Sequence, residues 1–413
     1  MGLNFDITAA TPILKNRYTE MEIETLAFQS PGLAKFPKKT DGGGLQYVGA
    51  LRNAVTSAVS ASDTVAFTTG ASSNYVQWQC PWKYAYASGN LTGAAIDQAN
   101  GDMDSLVDAM TSEFDGVFIA LGIHAGAAIY GNGGGSIGQF NGSGTVASTN
   151  AFTLANTSQI VNFYQGQILN AATTDGTSGS VESGSVTVAS VDVNAGTLTP
   201  TANWSTGIAT IANTDYLFNQ GDFGAKFAGL AGWIPPSANR TGSWWTSSWN
   251  NVTRTTDPVR LAGVAYKGSG APKSETMIQT AALVGRMGGR PDLMLCNPLD
   301  YADVVKELST RVQYVTESAY ENPQIGFDGV KVATQYGMIT ILMDPFCPQG
   351  TAWLLTLKTW LLISMGKLPK VLGTGIDGQE WLRNSGADSY QLRGGYRATT
   401  YCSAPGHNGV MTF

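Results

Sequence analysis

The residues best suited to chemistry lie in a glycine-rich stretch near the middle of the chain. Residues 134–138 (GGSIG) match the G-x-S-x-G pattern of a serine nucleophile, Ser136, and residues 133–138 match the phosphate-binding pattern G-x-G-x-x-G. Both patterns need a strand before the loop and a helix after it. Here a predicted helix precedes the loop and more glycine follows, which favours a flexible helix exit. A serine hydrolase that uses Ser136 is kept as an alternative.

The histidines, cysteines and clustered carboxylates do not form a recognisable metal site. The chain has two histidines, His124 and His407, and four cysteines without metal-ligand spacing. Asp102, Asp104 and Asp108 lack the glycine and the final glutamate of a calcium-binding loop, so we interpret them as a solvated helix face. His124 lies in an apolar helical stretch, which is typical of a core histidine. We expect no catalytic residue, no metal and no cofactor.

The charges are few and unevenly distributed. Only 13% of the 413 residues are charged, and the net charge is −6. No lysine or arginine lies between Lys83 and Lys226, whereas eleven carboxylates do, so this region cannot be a nucleic-acid groove. A low charge content is typical of surfaces that are buried between subunits. A monomer with a Ser-, Thr-, Asn- and Gly-rich surface is the alternative.

Targeting and membrane signals are also missing from the sequence. The first residues have no basic segment followed by an apolar core, so we expect no signal peptide, and the four cysteines are expected to be reduced. The longest apolar stretch, 116–131, is too short for a membrane span.

A long helix and two β-rich regions are predicted for the first half of the chain. Apolar residues recur at three- and four-residue steps over 102–130, and glycines end this helix. Alternating polar and apolar runs within 36–95, including 65–67, predict β-hairpins. Short β-runs over 141–220, including 160–163, predict an inserted antiparallel β-barrel or sandwich.

The last third alternates helices and strands. A helix is predicted from Ser274, as its cap, to about Met287, and another over 298–308. Strands are predicted over 293–296, 330–332, 338–343 and 352–357, with a hairpin turn at 344–350 between the last two.

Four segments in this order resemble the major capsid proteins of tailed bacteriophages, which have the Hong Kong 97-type fold. They are residues 128–133 (AIYGNG), 291–298 (PDLMLCNP), 341–346 (ILMDPF) and 401–410 (YCSAPGHNGV). The resemblance implies an α+β capsid fold with an inserted β-barrel or sandwich domain. Its implied parts are an N-terminal arm (1–35), an E-loop hairpin (36–95), a peripheral domain with a long spine helix (96–140), the inserted β domain (141–220), a second peripheral segment (221–290), an axial domain (291–380) and C-terminal strands returning to the peripheral domain (381–413).

The resemblance also implies a function and a set of partners. The chain would be a non-enzymatic virion protein that assembles in the host bacterial cytoplasm into the icosahedral head shell around a double-stranded DNA genome. Its partners would be its own copies in hexamers and pentamers, a portal, separate scaffolding or decoration proteins, and packaged DNA bound without sequence specificity, but no membrane. A tail-tube or decoration protein is the alternative structural function.

The charge distribution suggests how copies would meet. The predicted hairpin region is basic and the predicted long helix is acidic, so we expect basic residues of one subunit to approach acidic residues of another. The residues of this hypothesis are Lys35, Lys38, Lys39, Arg52 and Lys83 on one side, and Asp102, Asp104, Asp108, Glu113 and Asp115 on the other.

Overall fold

The computed structural model describes residues 30–55, 59–68, 72–94, 103–142, 151–309, 330–334, 337–372, 381–384 and 386–413. Over 103–113 it describes the backbone only. The predicted arm therefore lies outside the described residues, apart from its last six, 30–35.

The described helices and strands are as follows. The helices are α1 (Pro31–Lys35), α2 (Asp63–Thr68), α3 (Met103–Tyr130), α4 (Trp204–Gly207), α5 (Leu230–Trp233), α6 (Ser243–Thr246), α7 (Pro258–Ala262), α8 (Lys273–Arg286) and α9 (Pro298–Ser309). The strands are β1 (Lys38–Lys39), β2 (Gln46–Ala54), β3 (Asn74–Pro81), β4 (Lys83–Thr92), β5 (Gly138–Gln139), β6 (Phe152–Thr153), β7 (Ile168–Ala172), β8 (Val186–Asp192), β9 (Thr197–Pro200), β10 (Tyr216–Asn219), β11 (Ser248–Trp249), β12 (Val252–Thr253), β13 (Val264–Lys267), β14 (Leu293–Cys296), β15 (Val330–Thr334), β16 (Gly337–Met343), β17 (Thr351–Leu355), β18 (Trp360–Ser364), β19 (Lys370–Val371), β20 (Trp381–Arg383), β21 (Ser389–Cys402) and β22 (Gly409–Thr412).

One six-stranded sheet has the order β13-β22-β17-β14-β16-β15. All four residues of β14 are buried, as expected for a central strand covered on both faces. The hairpin predicted at 344–350 is wrong, because β16 and β17 do not pair with each other. Instead β16 lies parallel to β14 on one side, and β17 lies antiparallel to β14 on the other.

The strands β2 and β3 form a separate two-stranded antiparallel hairpin. We call residues 45–81 the finger. The predicted hairpin is confirmed, but the predicted strand at 65–67 is wrong, because these residues belong to the helix α2. Asp63 stands in the first turn of α2, where its side chain accepts a hydrogen bond from the Thr64 amide, and such a residue favours a helix start.

The 14-residue strand β21 organises a second sheet. It pairs with β4 along one side, and with β18, β19 and β20 along the other, while β1 lies parallel to β18. The helix α3 packs against this sheet through its buried residues Phe114, Phe118, Leu121, Ala125 and Ile129, which recur every three or four positions.

The long helix predicted over 102–130 is confirmed as α3, which we call the spine helix. It has 28 residues, about 42 Å at 1.5 Å per residue. It ends at a glycine turn, in which Gly133 has φ of +94°, a left-handed conformation that side chains disfavour.

Residues 137–217 have a hydrophobic core of their own, which includes Phe140 and Trp204 with ring centroids 5.0 Å apart. The antiparallel strand order is β5-β10-β7-β8-β9-β6. Its two ends approach at an isolated bridge between Phe140 and Leu154, and the described strands do not close into a barrel. The strand predicted at 160–163 is wrong, because Thr157–Asn162 is a 3-10 helix that the Asn156 side chain caps.

The helix predicted from Ser274 begins one residue earlier, at Lys273. Ser274 is therefore not its cap. The carboxylate of Glu307, in α9, accepts hydrogen bonds from the amides of Lys273 at 3.0 Å and Ser274 at 2.9 Å. A distant residue thus supplies the acceptor that a local cap would have provided.

Candidate functional site

The finger exposes large apolar side chains that the rest of the described chain does not cover. Leu45 is 91% exposed, and Val59 and Phe67 are each 85% exposed. Val48, Val55, Val65 and Tyr75 are exposed as well. A two-stranded hairpin is marginally stable by itself, and several exposed large apolar residues along it favour contact with another molecule.

The basic residues predicted at this surface lie on and beside the finger. Lys35, Lys38, Lys39 and Arg52 are exposed. Lys39 forms a 3.7 Å ion pair with the exposed Asp41, which contributes little because both groups are solvated.

Two of the basic residues have partners within the same chain. The guanidinium of Arg52 lies 5.5 Å from the centre of the Tyr75 ring, across the hairpin. Lys83 is half-buried, and its ammonium donates a 2.7 Å hydrogen bond to the Gly224 carbonyl. Burial lowers the pKa of Lys83. Arg52 therefore remains available at the surface, whereas Lys83 holds two parts of its own chain together.

The acidic residues of the hypothesis lie at the start of the spine helix. Asp102 is outside the described residues, and Asp104, Asp108 and Glu113 are in the helix but their side chains are not described. Asp115 is half-buried. The proximity of the two charged groups between subunits stays a prediction.

A buried carboxylate fixes the segment that precedes the finger. Asp344 is fully buried, and its Oδ2 accepts hydrogen bonds from the Ser30 hydroxyl and the Gly32 amide, both at 2.9 Å. Its Oδ1 accepts from the Phe346 amide at 3.0 Å. Burial raises the pKa of Asp344, and these donors oppose the rise. Sequence analysis missed this role, because no pattern connects residues 30 and 344.

His124, on the spine helix, is half-buried in a polar cluster. Its Nε2 is 2.8 Å from Asp222 Oδ2 and its Nδ1 is 2.7 Å from the Tyr396 hydroxyl. The same carboxylate oxygen accepts from Asn219 at 3.0 Å and lies 3.5 Å from the ammonium of Lys226. The prediction of a core histidine with satisfied hydrogen bonds is confirmed.

The charges of this cluster are set by burial and by its internal contacts. Burial would raise the pKa of Asp222, but the hydrogen bond from His124 and the charge of Lys226 outweigh it and lower the pKa to about 2. Burial and the charge of Lys226 lower the pKa of His124. At neutral pH the cluster therefore holds a carboxylate and a neutral imidazole.

The geometry around Ser136 does not support a nucleophile. The loop follows the spine helix and leads into β5, which reverses the strand–turn–helix order that a nucleophile elbow requires. Both ring nitrogens of His124 are already engaged by Asp222 and Tyr396, so this imidazole is not free to act as a base.

Metal-binding clusters and membrane-spanning helices are both absent from the described residues. These residues contain no group of three or more histidine, cysteine, aspartate or glutamate residues placed to hold a metal ion. Their helices include none with the length and hydropathy needed to cross a bilayer.

Comparisons with known proteins bear on the whole fold rather than on one site. Neither protein-family models nor curated proteins match the chain. Among solved structures, a chain from the capsid asymmetric unit of cyanophage A-1(L) is similar over 93% of this chain and 92% of its own length, at 11% sequence identity and a TM-score of 0.51. The chain has the Hong Kong 97-type capsid fold. The fold class predicted from the sequence is therefore confirmed.

Two other solved structures are similar to the chain with lower scores. One is from the capsid of a native GTA particle, with 9% identity, coverage of 94% of this chain and 90% of that chain, and a TM-score of 0.45. Another is the SrpI encapsulin of Synechococcus elongatus PCC 7942, with 8% identity, coverage of 91% and 84%, and a TM-score of 0.39.

Proposed function

We propose that the chain is a major capsid protein that assembles into the icosahedral head shell of a tailed bacteriophage. The capsid fold supports this proposal, and the observation that carries it is the uncovered apolar surface of the finger. A shell subunit has a structural role, and the geometry around Ser136 gives no reason to add an enzymatic one.

The apolar side chains of the finger are exposed to water in the single chain, which is unfavourable. Leu45, Val59 and Phe67 remain mostly solvated in the single chain. Covering one such side chain contributes about 1.5–3 kcal/mol. Several of them on one hairpin therefore supply enough free energy to offset part of the cost of association. Identical copies are the simplest source of a complementary surface, since closed symmetric assemblies reuse one contact many times.

The domain assignment forms part of the same proposal. Residues 1–35 would be the arm and 36–95 the E-loop, while 141–220 would be an addition to the minimal fold. The partners would be copies of the chain in hexamers and pentamers, a portal, scaffolding or decoration proteins, and packaged DNA held without sequence specificity. The protein would be located in the virion after assembly in the bacterial cytoplasm.

Charge would set the register between copies. We propose that Arg52, Lys35, Lys38 or Lys39 of one subunit approaches the acidic start of the spine helix of another. Such rim charges influence encounter rate and register more than affinity, and salt screens them with a Debye length of about 8 Å at physiological ionic strength. In the single chain Lys35, Lys38, Lys39 and Arg52 are exposed to solvent.

Electron microscopy of the purified chain tests the function. Closed shells of uniform size are expected. Tubes would instead indicate a tail-tube protein, and a monodisperse single molecule at high concentration would contradict assembly altogether.

A double-mutant cycle tests the charge contact. Arg52→Glu is expected to slow shell formation, measured by light scattering, and the added change Glu113→Arg is expected to restore part of the rate. The matched control is Lys358→Glu, an exposed lysine outside the finger, which should leave the rate unchanged. Equal slowing by Arg52→Glu with and without Glu113→Arg would refute this pairing but not the capsid function.

A further inference from the structure

A fully buried arginine lies beside the base of the finger. The guanidinium carbon of Arg254 is 4.7 Å from the ring centre of Trp244, 4.9 Å from that of Trp245 and 4.3 Å from that of Trp249. A cation over several aromatic faces is held by the ring quadrupoles, most strongly when it is desolvated. The planar guanidinium fits between rings in a way that an ammonium cannot.

The polar contacts of Arg254 go to backbone rather than to acids. Its Nη1 donates to the Gly232 carbonyl at 2.7 Å and its Nη2 donates to the Trp244 carbonyl at 3.3 Å. No carboxylate among the described residues pairs with it. Burial, with the nearby charge of Arg240, lowers its pKa to about 9. Burying a cation without a counter-ion is costly, so this arrangement calls for a reason beyond filling space.

The tryptophans beside Arg254 also contact the finger. Trp78, on β3, lies edge-on to Trp249 with ring centroids 5.9 Å apart and to Trp233 with centroids 5.1 Å apart. Trp249 and Trp233 are themselves 5.0 Å apart. Trp78 is fully buried although most of the finger is not. Through Trp78, the aromatic cluster connects the finger strand β3 to Trp249, whose ring Arg254 contacts.

A second connection runs through the hairpin β11–β12. The amide of Gln79 donates to the Asn250 carbonyl at 3.0 Å, and the side-chain amide of Asn251 donates to the Gln77 carbonyl at 3.2 Å. Asn250 and Asn251 both have positive φ, +49° and +68°, which defines a tight turn. Arg254 follows this hairpin directly in the chain.

We propose that Arg254 is a positioning residue, which fixes the direction of the finger in the single subunit before a neighbour is bound. The proposal rests on the proposed function only in calling the finger an assembly surface. A finger held in one direction loses less conformational entropy on association, which favours assembly with a single geometry. Arg254 contacts Trp249 and directly follows the hairpin β11–β12, and these in turn contact Trp78 and β3.

The test measures the direction of the finger in the full chain. Spin labels are placed at Ser60→Cys in the finger and at Lys358→Cys on the body, both exposed, while the four native cysteines are buried. Distances are measured by double electron–electron resonance on single subunits isolated by size exclusion. The parent chain is expected to give one narrow distance distribution.

The variant Arg254→Lys keeps the charge but loses the planar face, and it is expected to widen the distribution at least two-fold. Asn251→Gly keeps the turn but removes the bond to Gln77, and it is expected to widen the distribution less. The control is Arg260→Lys, an exposed arginine on α7, which should leave the width unchanged.

Two results would overturn the proposal. One is an unchanged width in Arg254→Lys. The other is an Arg254→Lys chain that fails to fold, since a residue on which the whole body depends is not a specific determinant of finger direction. Failure of the capsid function would appear separately, as the absence of shells in the parent chain, and would leave the distance result intact.

Discussion

Two glycines of the spine helix should respond in opposite directions to the same substitution. A methyl group added at Gly116 meets no atom within 4 Å. One added at Gly126 lies 2.8 Å and 2.9 Å from two ring carbons of the buried Phe346. Alanine in a helix interior is more favourable than glycine by about 0.5–1 kcal/mol. Gly116→Ala is therefore expected to raise the free energy of unfolding by about that amount.

Gly126→Ala receives the same helical benefit but must displace an aromatic ring. Overpacking of this kind typically costs about 1–3 kcal/mol, so after the helical gain the net effect is a destabilisation of up to about 2.5 kcal/mol. The two variants should thus differ by roughly 1–3 kcal/mol in the free energy of unfolding.

Urea unfolding of isolated subunits, followed by tryptophan fluorescence, measures this difference. The midpoint should rise for Gly116→Ala and fall for Gly126→Ala, with an unchanged slope in both. Stabilisation of the same size in both variants would show that Phe346 moves aside without cost. The inferred close packing between the spine helix and the turn after β16 would then be wrong.

Three further predictions concern contacts between parts of the chain that are distant in sequence. Gly32→Ala would place a methyl 2.6 Å from both Asp344 Oδ2 and the Tyr130 hydroxyl, so it should lower the free energy of unfolding by about 1–3 kcal/mol, whereas Gly43→Ala, with no atom within 4 Å, should not. Glu307→Ala should lower the free energy of unfolding by about 1–2 kcal/mol, because two amides at the start of α8 lose their acceptor. Thermal unfolding measures this, and a midpoint temperature equal to that of the parent chain would contradict it. The pKa of His124 is lowered in the folded chain, so the unfolded chain binds its proton first and stability should decrease as the pH falls below about 6.5, by up to about 1.4 kcal/mol per pH unit. Urea midpoints at pH 7.5 and 5.5 should show a smaller loss in His124→Gln, and an equal loss would exclude His124 as the cause.

Local patterns were enough to predict the spine helix and the finger, but not every element within them. The helix follows from apolar residues at three- and four-residue steps, and the hairpin from alternation, because both signals are local. The runs at 65–67 and 160–162 carry β-forming residues yet become helical, since Asp63 in the first turn favours one helix start and the Asn156 side chain caps the other. Tertiary context overrides propensity in such short runs.

The candidate sites were harder to predict because their members are far apart in sequence. Asp344 accepts a hydrogen bond from Ser30, and Glu307 accepts one from the amide of Lys273. No sequence-spacing rule predicts either contact. The hairpin predicted at 344–350 failed for a related reason, because β14 takes the place between its two strands. Trp244, Trp245 and Trp249 precede Arg254 closely in the sequence, which was the one visible signal of its cluster.

The position of β22 has a consequence for when this protein can fold. Its four residues, Gly409–Thr412, are inserted between β13 and β17, and β22 is the sole described neighbour of β13. During translation this sheet therefore stays divided until residue 412 has left the ribosome exit tunnel. A nascent chain therefore cannot complete this sheet, or join β13 to it, before Gly409–Thr412 have been synthesised.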